Sequence, residues 1–121
     1  MAAAADIIKI EAPSQAYEGE QVIVDVSVKN ISTVDKYIAV TGLFDSAELP
    51  FQFDYLLVSP GQTVIFRGWF TMPAKSITVM VWSFYWSGTQ WVEDDSLTKN
   101  ISLSILTPEF ADFGITEYSR V

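Results

Sequence analysis

Cysteine and histidine are both absent from the 121 residues of this chain. Without cysteine there can be no disulfide, no thiolate nucleophile and no cysteine-bound zinc. Without histidine the chain lacks the commonest general base and metal ligand, and every Ser-His or Cys-His catalytic pair is excluded. An enzyme built on this sequence would depend on carboxylates, lysines or tyrosines. We therefore expect a protein that is not an enzyme, with no catalytic residue and no cofactor.

Basic side chains are scarce, because 7 lysines and arginines face 15 aspartates and glutamates and leave a net charge of −8. Such a surface repels phosphate backbones, so we expect no nucleic-acid partner. Hydrophobic residues nevertheless make up 50% of the chain. In a domain of this size some of them must lie on the surface, where a protein partner or a neighbouring copy of the chain would cover them.

Long apolar runs are also missing. The opening "MAAAADIIKI" has neither the basic start of a signal peptide nor an apolar stretch long enough to span a bilayer. We expect no membrane insertion. Two alternatives are equally compatible with this stretch: export followed by removal of a signal peptide, and synthesis without export.

Apolar side chains recur with a period of two along most of the chain. In "EQVIVDVSVKN" four valines, at 22, 24, 26 and 28, alternate with Ile23, Asp25, Ser27 and Lys29, as expected of a half-buried strand. "SITVMVWSFYW" is apolar on both faces and is typical of a central strand. About seven such strands, separated by turn residues, predict an all-β fold, a single antiparallel Ig-like β-sandwich over residues 1–106. The less regular "SAELPFQFDYLLVS" predicts an edge strand or a crossover, since Pro50 cannot donate to a ladder.

We expect residues 107–121 to form a linker and a C-terminal segment, in which "ADFGITEYSRV" loosely echoes the N-terminus. The echo has three interpretations. It arises by chance, it begins the next unit of a tandem array, or it belongs to a strand that pairs with a neighbouring subunit.

The stretch "SFYWSGTQWVEDD" at residues 83–95 predicts a β-hairpin. Glycine at the first position of a two-residue Gly88-Thr89 loop suits a type II′ turn. Trp86 then faces Trp91 as a non-hydrogen-bonded pair, where side chains approach most closely.

One face of the predicted strand carries Val79, Val81 and Tyr85, and the other carries Trp82, Phe84 and Trp86. We expect the valine face to be the core. The tryptophans at 82, 86 and 91, joined by Trp69, would then form an outer strip that stacks sugars or contacts a protein partner. The alternative is that these tryptophans are themselves core.

The adjacent Asp94 and Asp95 offer hard oxygen ligands that calcium prefers. The D-x-D-x-D-G spacing of a calcium loop is absent, so a solvated acidic strand end is the prediction and a metal site the alternative. As a glycosidase pair they are poor candidates, because neighbours on a strand point to opposite faces. Two "NIS" sequons occur, at Asn30 and Asn100. We predict a turn asparagine at the end of a strand and a solvent-facing strand residue, and glycosylation is the alternative at both.

Three stretches resemble known modules. "YEGEQVIVDVSVKNIST" and "VSPGQTVIFRGWFTMP" resemble the Gly-Glu turn, alternating valine strand and later Pro-Gly turn of CARDB-type immunoglobulin-like modules in bacterial and archaeal surface proteins. "SITVMVWSFYWSGTQW" is similar to β-sandwich modules of virion and phage proteins. The resemblance implies a non-enzymatic spacer, adhesion or subunit-contact domain at a cell surface, outside the cell or in a virion. The residues themselves leave a carbohydrate-binding module with an exposed tryptophan face as the alternative.

Overall fold

The computed structural model describes residues 2–105. The predicted linker and C-terminal segment at 107–121 lies outside the described residues. Within them the chain forms nine β-strands and no helix. The strands are β1 (Ala5–Glu11), β2 (Gln15–Tyr17), β3 (Gln21–Asn30), β4 (Lys36–Phe44), β5 (Ala47–Glu48), β6 (Leu56–Val58), β7 (Thr63–Thr71), β8 (Ile77–Trp86) and β9 (Trp91–Ser104).

Two sheets pack face to face. One contains β1, β3 and β7 in that order, and the other contains β2, β9, β8, β4 and β5, with β6 also paired to β4. The all-β sandwich is therefore confirmed, but the described residues hold nine strands where the sequence predicted about seven. The difference arises because β2 was not predicted and because the stretch at 46–59, predicted as one edge strand or crossover, contains both β5 and β6. These strands are too short for a period of two to be visible. The pairing of β2 with β9 is parallel, so the sandwich is not wholly antiparallel.

The core lies between the inner faces of the two sheets. All four alternating valines of β3 are at most 1% exposed, as the period of two predicts. Val79 and Val81 of β8 oppose them from the other sheet and are fully buried. Each such buried side chain stabilises the fold by about 1.5–3 kcal/mol, so this alternation largely determines which sheet faces meet.

The predicted crossover around Pro50 covers the outer edge of β7. Phe51 forms an isolated bridge to Gly68. On either side the Gln52 N–H donates to the Arg67 carbonyl at 2.8 Å and the Trp69 N–H donates to the Pro50 carbonyl at 3.3 Å. These contacts satisfy backbone groups that an open edge strand would expose to another chain.

Strands β1 and β2 lie at the edges of the two sheets, one in each sheet. The chain passes from β1 in the three-stranded sheet, through Pro13, to β2 in the six-stranded sheet. The start of β1 lies against the first residues of β9, where the Ala5 N–H donates to the Asp94 carboxylate. In the part of the chain that the structure describes, no helix is long and apolar enough to cross a membrane.

Candidate functional site

The hairpin between β8 and β9 has the geometry that its sequence predicts. The Ser87 N–H donates to the Gln90 carbonyl at 2.9 Å, which closes a two-residue turn. Gly88, at the first turn position, has a φ of 107°, a conformation that favours glycine. Trp86 lies opposite Trp91, with ring centroids 5.4 Å apart and planes at 66°. The predicted Trp86–Trp91 pair is confirmed.

The outward face of β8 is the tryptophan face. Val79 and Val81 are buried, whereas Trp82 and Trp86 are half-buried on the other side of the strand. This confirms the predicted core face. Trp91 follows on β9, with 40% of its surface exposed.

Two tyrosines complete this face, and sequence analysis did not assign them to it. Tyr37 is the second residue of β4, and Tyr55 lies in the loop directly before β6. The Tyr55 ring contacts Tyr37 at 5.6 Å between centroids, with planes at 84°, and Trp91 at 6.0 Å, with planes at 48°. Together Tyr37, Tyr55, Trp86 and Trp91 line an open hollow of about 290 Å³. We call these four residues the aromatic cup.

A second hollow of about 330 Å³ continues from the cup, sharing Tyr55 and Trp91 with it. Its wall adds Phe84 and the acidic Asp54. Glu93 pairs with Phe84 across β8 and β9, so its side chain lies on the same face. The cup therefore has carboxylates beside it.

Two of the predicted strip residues lie outside the cup. Trp82 is on the same outer face, between Thr41 and Ser96, but lines neither hollow. Trp69 belongs to β7, where it pairs with Ile23 on the outside of the three-stranded sheet. The prediction that Trp69 joins the other tryptophans is wrong, because β7 and β8 lie in different sheets and their outer faces point in opposite directions.

Asp94 and Asp95 are not the solvated strand end that the sequence suggests. The register between β8 and β9 shifts between Ser83 and Phe84, which leaves Asp94 as an extra residue in a β-bulge. The Asp94 carboxylate accepts hydrogen bonds from the backbone amides of residues 3, 4 and 5, at 2.6–2.8 Å. The Asp95 carboxylate accepts one from the Ile7 N–H at 2.9 Å. The expectation that adjacent carboxylates point to opposite faces fails here, because the bulge turns both toward β1.

A third carboxyl group, that of Asp6, joins this pair. Partial burial, a hydrogen bond with Asp95 and the negative charges of Asp95 and Asp94 raise the pKa of Asp6, and Lys29 opposes the rise only in part. Within residues 2–105, no three acidic, histidine or cysteine side chains are arranged to hold a metal ion. The two aspartates that sequence analysis offered as metal ligands hold the N-terminal strand to β9.

The two sequon asparagines differ in exposure. Asn30 is fully buried, and its Nδ2 donates to the carbonyls of Val58 and Val34 at 2.8 and 2.9 Å. A glycan on this nitrogen has no room in the folded chain, so the glycosylation alternative at Asn30 is wrong. Asn100 is exposed and its Oδ1 accepts a hydrogen bond from the Thr78 hydroxyl. Glycosylation at Asn100 stays a prediction.

Comparison with known proteins identifies the fold. No family model matches this chain. No curated protein sequence matches it either. Among solved structures, the CARDB domain of a protein from Pyrococcus furiosus, in complex with di-metal ions, superposes with a TM-score of 0.61 and 14% identity. This match covers 83% of this chain and 94% of that one.

PapD-like domain 7 of human CEP192 matches with a TM-score of 0.45 and 11% identity, over 83% of this chain and 87% of that one. At these identities the likeness to the CARDB domain concerns the fold. This chain has the immunoglobulin-like β-sandwich fold of a CARDB domain.

Proposed function

We propose that this chain is a non-enzymatic structural and protein-interaction module. It serves as a spacer, adhesion or subunit-contact domain of an extracellular surface or virion assembly. The observation that carries the proposal is the outer face of the six-stranded sheet. There Tyr37, Tyr55 and Trp91 are between 40% and 53% exposed around an open hollow. Aromatic residues of this kind are enriched in the cores of protein interfaces.

An apolar residue also lies on the surface beside the cup. Leu57, on β6, pairs with Tyr37 and is 54% exposed. A net charge of −8 keeps such a domain soluble while its apolar surface is uncovered. Cover by a neighbouring subunit or a partner protein explains why aromatic and apolar side chains are exposed in the isolated chain.

Light scattering over a range of protein concentrations tests this function. We expect the apparent mass of the wild-type chain to rise with concentration, and Tyr55→Ser or Trp91→Ser to lower it. Trp69→Ser, on the other sheet, is the matched control for loss of one exposed aromatic ring. A wild-type chain that is strictly monomeric and binds glycans through its tryptophans would overturn the proposal.

A carbohydrate-binding module is the second candidate, because exposed rings beside an open hollow can stack against sugars. Titration with neutral oligosaccharides, followed by tryptophan fluorescence, tests it. Trp91→Ala and Trp86→Ala should each abolish the fluorescence change. Binding that survives both substitutions would remove this candidate.

A further inference from the structure

We infer that the aromatic cup binds an alkylammonium cation, presented as a lysine side chain of a partner protein. This rests on the proposed protein-interaction function and names the chemistry of the contact. The first argument is geometric. Neighbouring rings meet at 84°, 48° and 66°, so the four rings that line the hollow lie in different planes and form no single flat surface.

The charge distribution of aromatic rings makes the cup attractive to a cation. A ring face carries negative potential and a ring edge positive potential. Several ring faces around one space attract a cation, and aromatic cages of this kind recognise alkylammonium groups. The hollow of about 290 Å³ is at the small end of ligand pockets, which suits one aliphatic side chain with a charged end.

Charge around the cup supports the same occupant. Asp54 lines the adjoining hollow, and Glu93 lies on the same face beside Phe84. Among residues 2–105, those that line the two hollows include no lysine or arginine. An acidic surface with a net charge of −8 favours approach of a basic partner, and the carboxylates compensate for part of the cation's lost hydration.

The chain's own nearest lysine along the sequence does not occupy the cup. Lys36 precedes Tyr37, and its Nζ lies 5.1 Å from the centroid of the Tyr85 ring. Tyr85 and Trp86 are neighbours on β8 and point to opposite faces of the sheet. Lys36 thus lies on the other side of the sheet from Trp86, and its charge does not fill the cup.

The experiment compares two blocked tripeptides, Gly-Lys-Gly and Gly-norleucine-Gly, which differ in the charged end of one side chain. Both are titrated into the full chain to millimolar concentration, and the indole N–H signals are followed by NMR. We expect the signals of Trp86 and Trp91 to shift and that of Trp69 to stay. The lysine peptide should bind about fivefold more tightly than its neutral counterpart, or better. A trimethyl-lysine peptide should bind at least as well as lysine.

Variants locate the site. Trp91→Leu should weaken binding of the lysine peptide about fivefold, whereas the control Trp69→Leu should leave it unchanged. Asp54→Asn should weaken lysine binding and leave norleucine binding unaffected. Equal affinity for the two peptides would overturn the cation model, as would indole shifts caused by neutral oligosaccharides alone. If the peptides fail but Trp91→Ser still lowers the apparent mass in light scattering, the interaction function stands and its lysine chemistry is wrong.

Discussion

The carboxylate of Asp94 accepts a 2.6 Å hydrogen bond from the backbone N–H of Ala5, so that a residue of one sheet holds the first strand of the other. Two further amides, those of Ala3 and Ala4, donate to the same carboxylate. A carboxylate that accepts several amide hydrogen bonds forms charge-assisted interactions, which are stronger than those of neutral acceptors. This contact therefore fixes where the chain enters the sandwich.

Replacing Asp94 should loosen that entry. Asp94→Asn keeps the size of the side chain but loses the anionic acceptor, and we expect a loss of about 1–3 kcal/mol in the free energy of unfolding. Urea unfolding followed by tryptophan fluorescence measures the change. Glu93→Gln, one residue away and exposed, should alter stability by less than about 0.5 kcal/mol. Equal effects of the two substitutions would mean that the amide contacts contribute nothing.

The pH dependence of stability should report on Asp6. Its pKa is raised from 3.8, so its stabilising contribution is complete below pH 3.8 and is lost as the pH rises through the folded-state value. Asp6→Asn should thus raise the thermal midpoint at pH 7, by about 1–4 °C, and change it little near pH 3.5.

The pKa of Asp25 shifts in the opposite direction from that of Asp6. Its hydrogen bonds with Arg67, at 2.8 and 2.9 Å, lower its pKa. Stability from this pair is present above the unfolded-state pKa and is lost as the pH falls through the lowered value. Asp25→Asn should then destabilise the chain at pH 7, by a margin that shrinks in acid. Parallel pH profiles for the two variants would contradict both assignments.

Asn30 should be a structural residue and not an acceptor of glycans. Its Oδ1 accepts from the Ser32 N–H and hydroxyl at 2.9 and 2.7 Å, and its Nδ2 donates to two carbonyls. Asn30→Ala leaves the buried Val58 carbonyl without this donor and should cost about 1–3 kcal/mol. Asn100→Ala, in the exposed sequon, should cost less than about 1 kcal/mol. Thermal unfolding of both variants measures the difference.

Local patterns predicted the parts of this molecule that depend on neighbours in sequence. The alternating valines of β3 identified the core face, and Gly88 with its flanking tryptophans identified the hairpin, because a short turn fixes the register of the two strands it joins. The other long strands were predicted from the same alternation of apolar and polar side chains. Short strands such as β2 carry too few residues to show a period.

The rest depends on contacts between distant segments. Tyr37 and Tyr55 meet because β6 pairs with β4, and they lie near Trp86 because β4 pairs with β8. Neither pairing is encoded in a local pattern. Trp69 was assigned to the wrong face because period two shows which residues share a face of one strand but not which strands share a sheet. The bulge at Asp94 inserts one residue into a regular alternation, and no glycine or proline marks it.

Gly68 should be sensitive to addition of a single methyl group. A Cβ at this position would lie 2.8 Å from the Pro50 carbonyl oxygen and 3.0 Å from the Phe51 ring, so the crossover would have to move off β7. Gly68→Ala should cost about 1–3 kcal/mol, as overpacking does elsewhere. Thr71→Ala, at the exposed end of the same strand, is the control. If the crossover adapts without cost, the two variants will unfold at the same urea concentration.

The Trp86–Trp91 pair should stabilise the hairpin beyond the area that it buries. With centroids 5.4 Å apart and planes at 66°, the rings have the edge-to-face arrangement that aromatic pairs prefer. A double-mutant cycle with Trp86→Leu and Trp91→Leu should give a coupling free energy of about 0.5–1.5 kcal/mol. The same cycle between Trp86 and Trp69, which lie on opposite outer faces, should be additive within about 0.5 kcal/mol. Coupling of the first pair no greater than that of the second would show that the two rings stabilise the chain only through their separate burial.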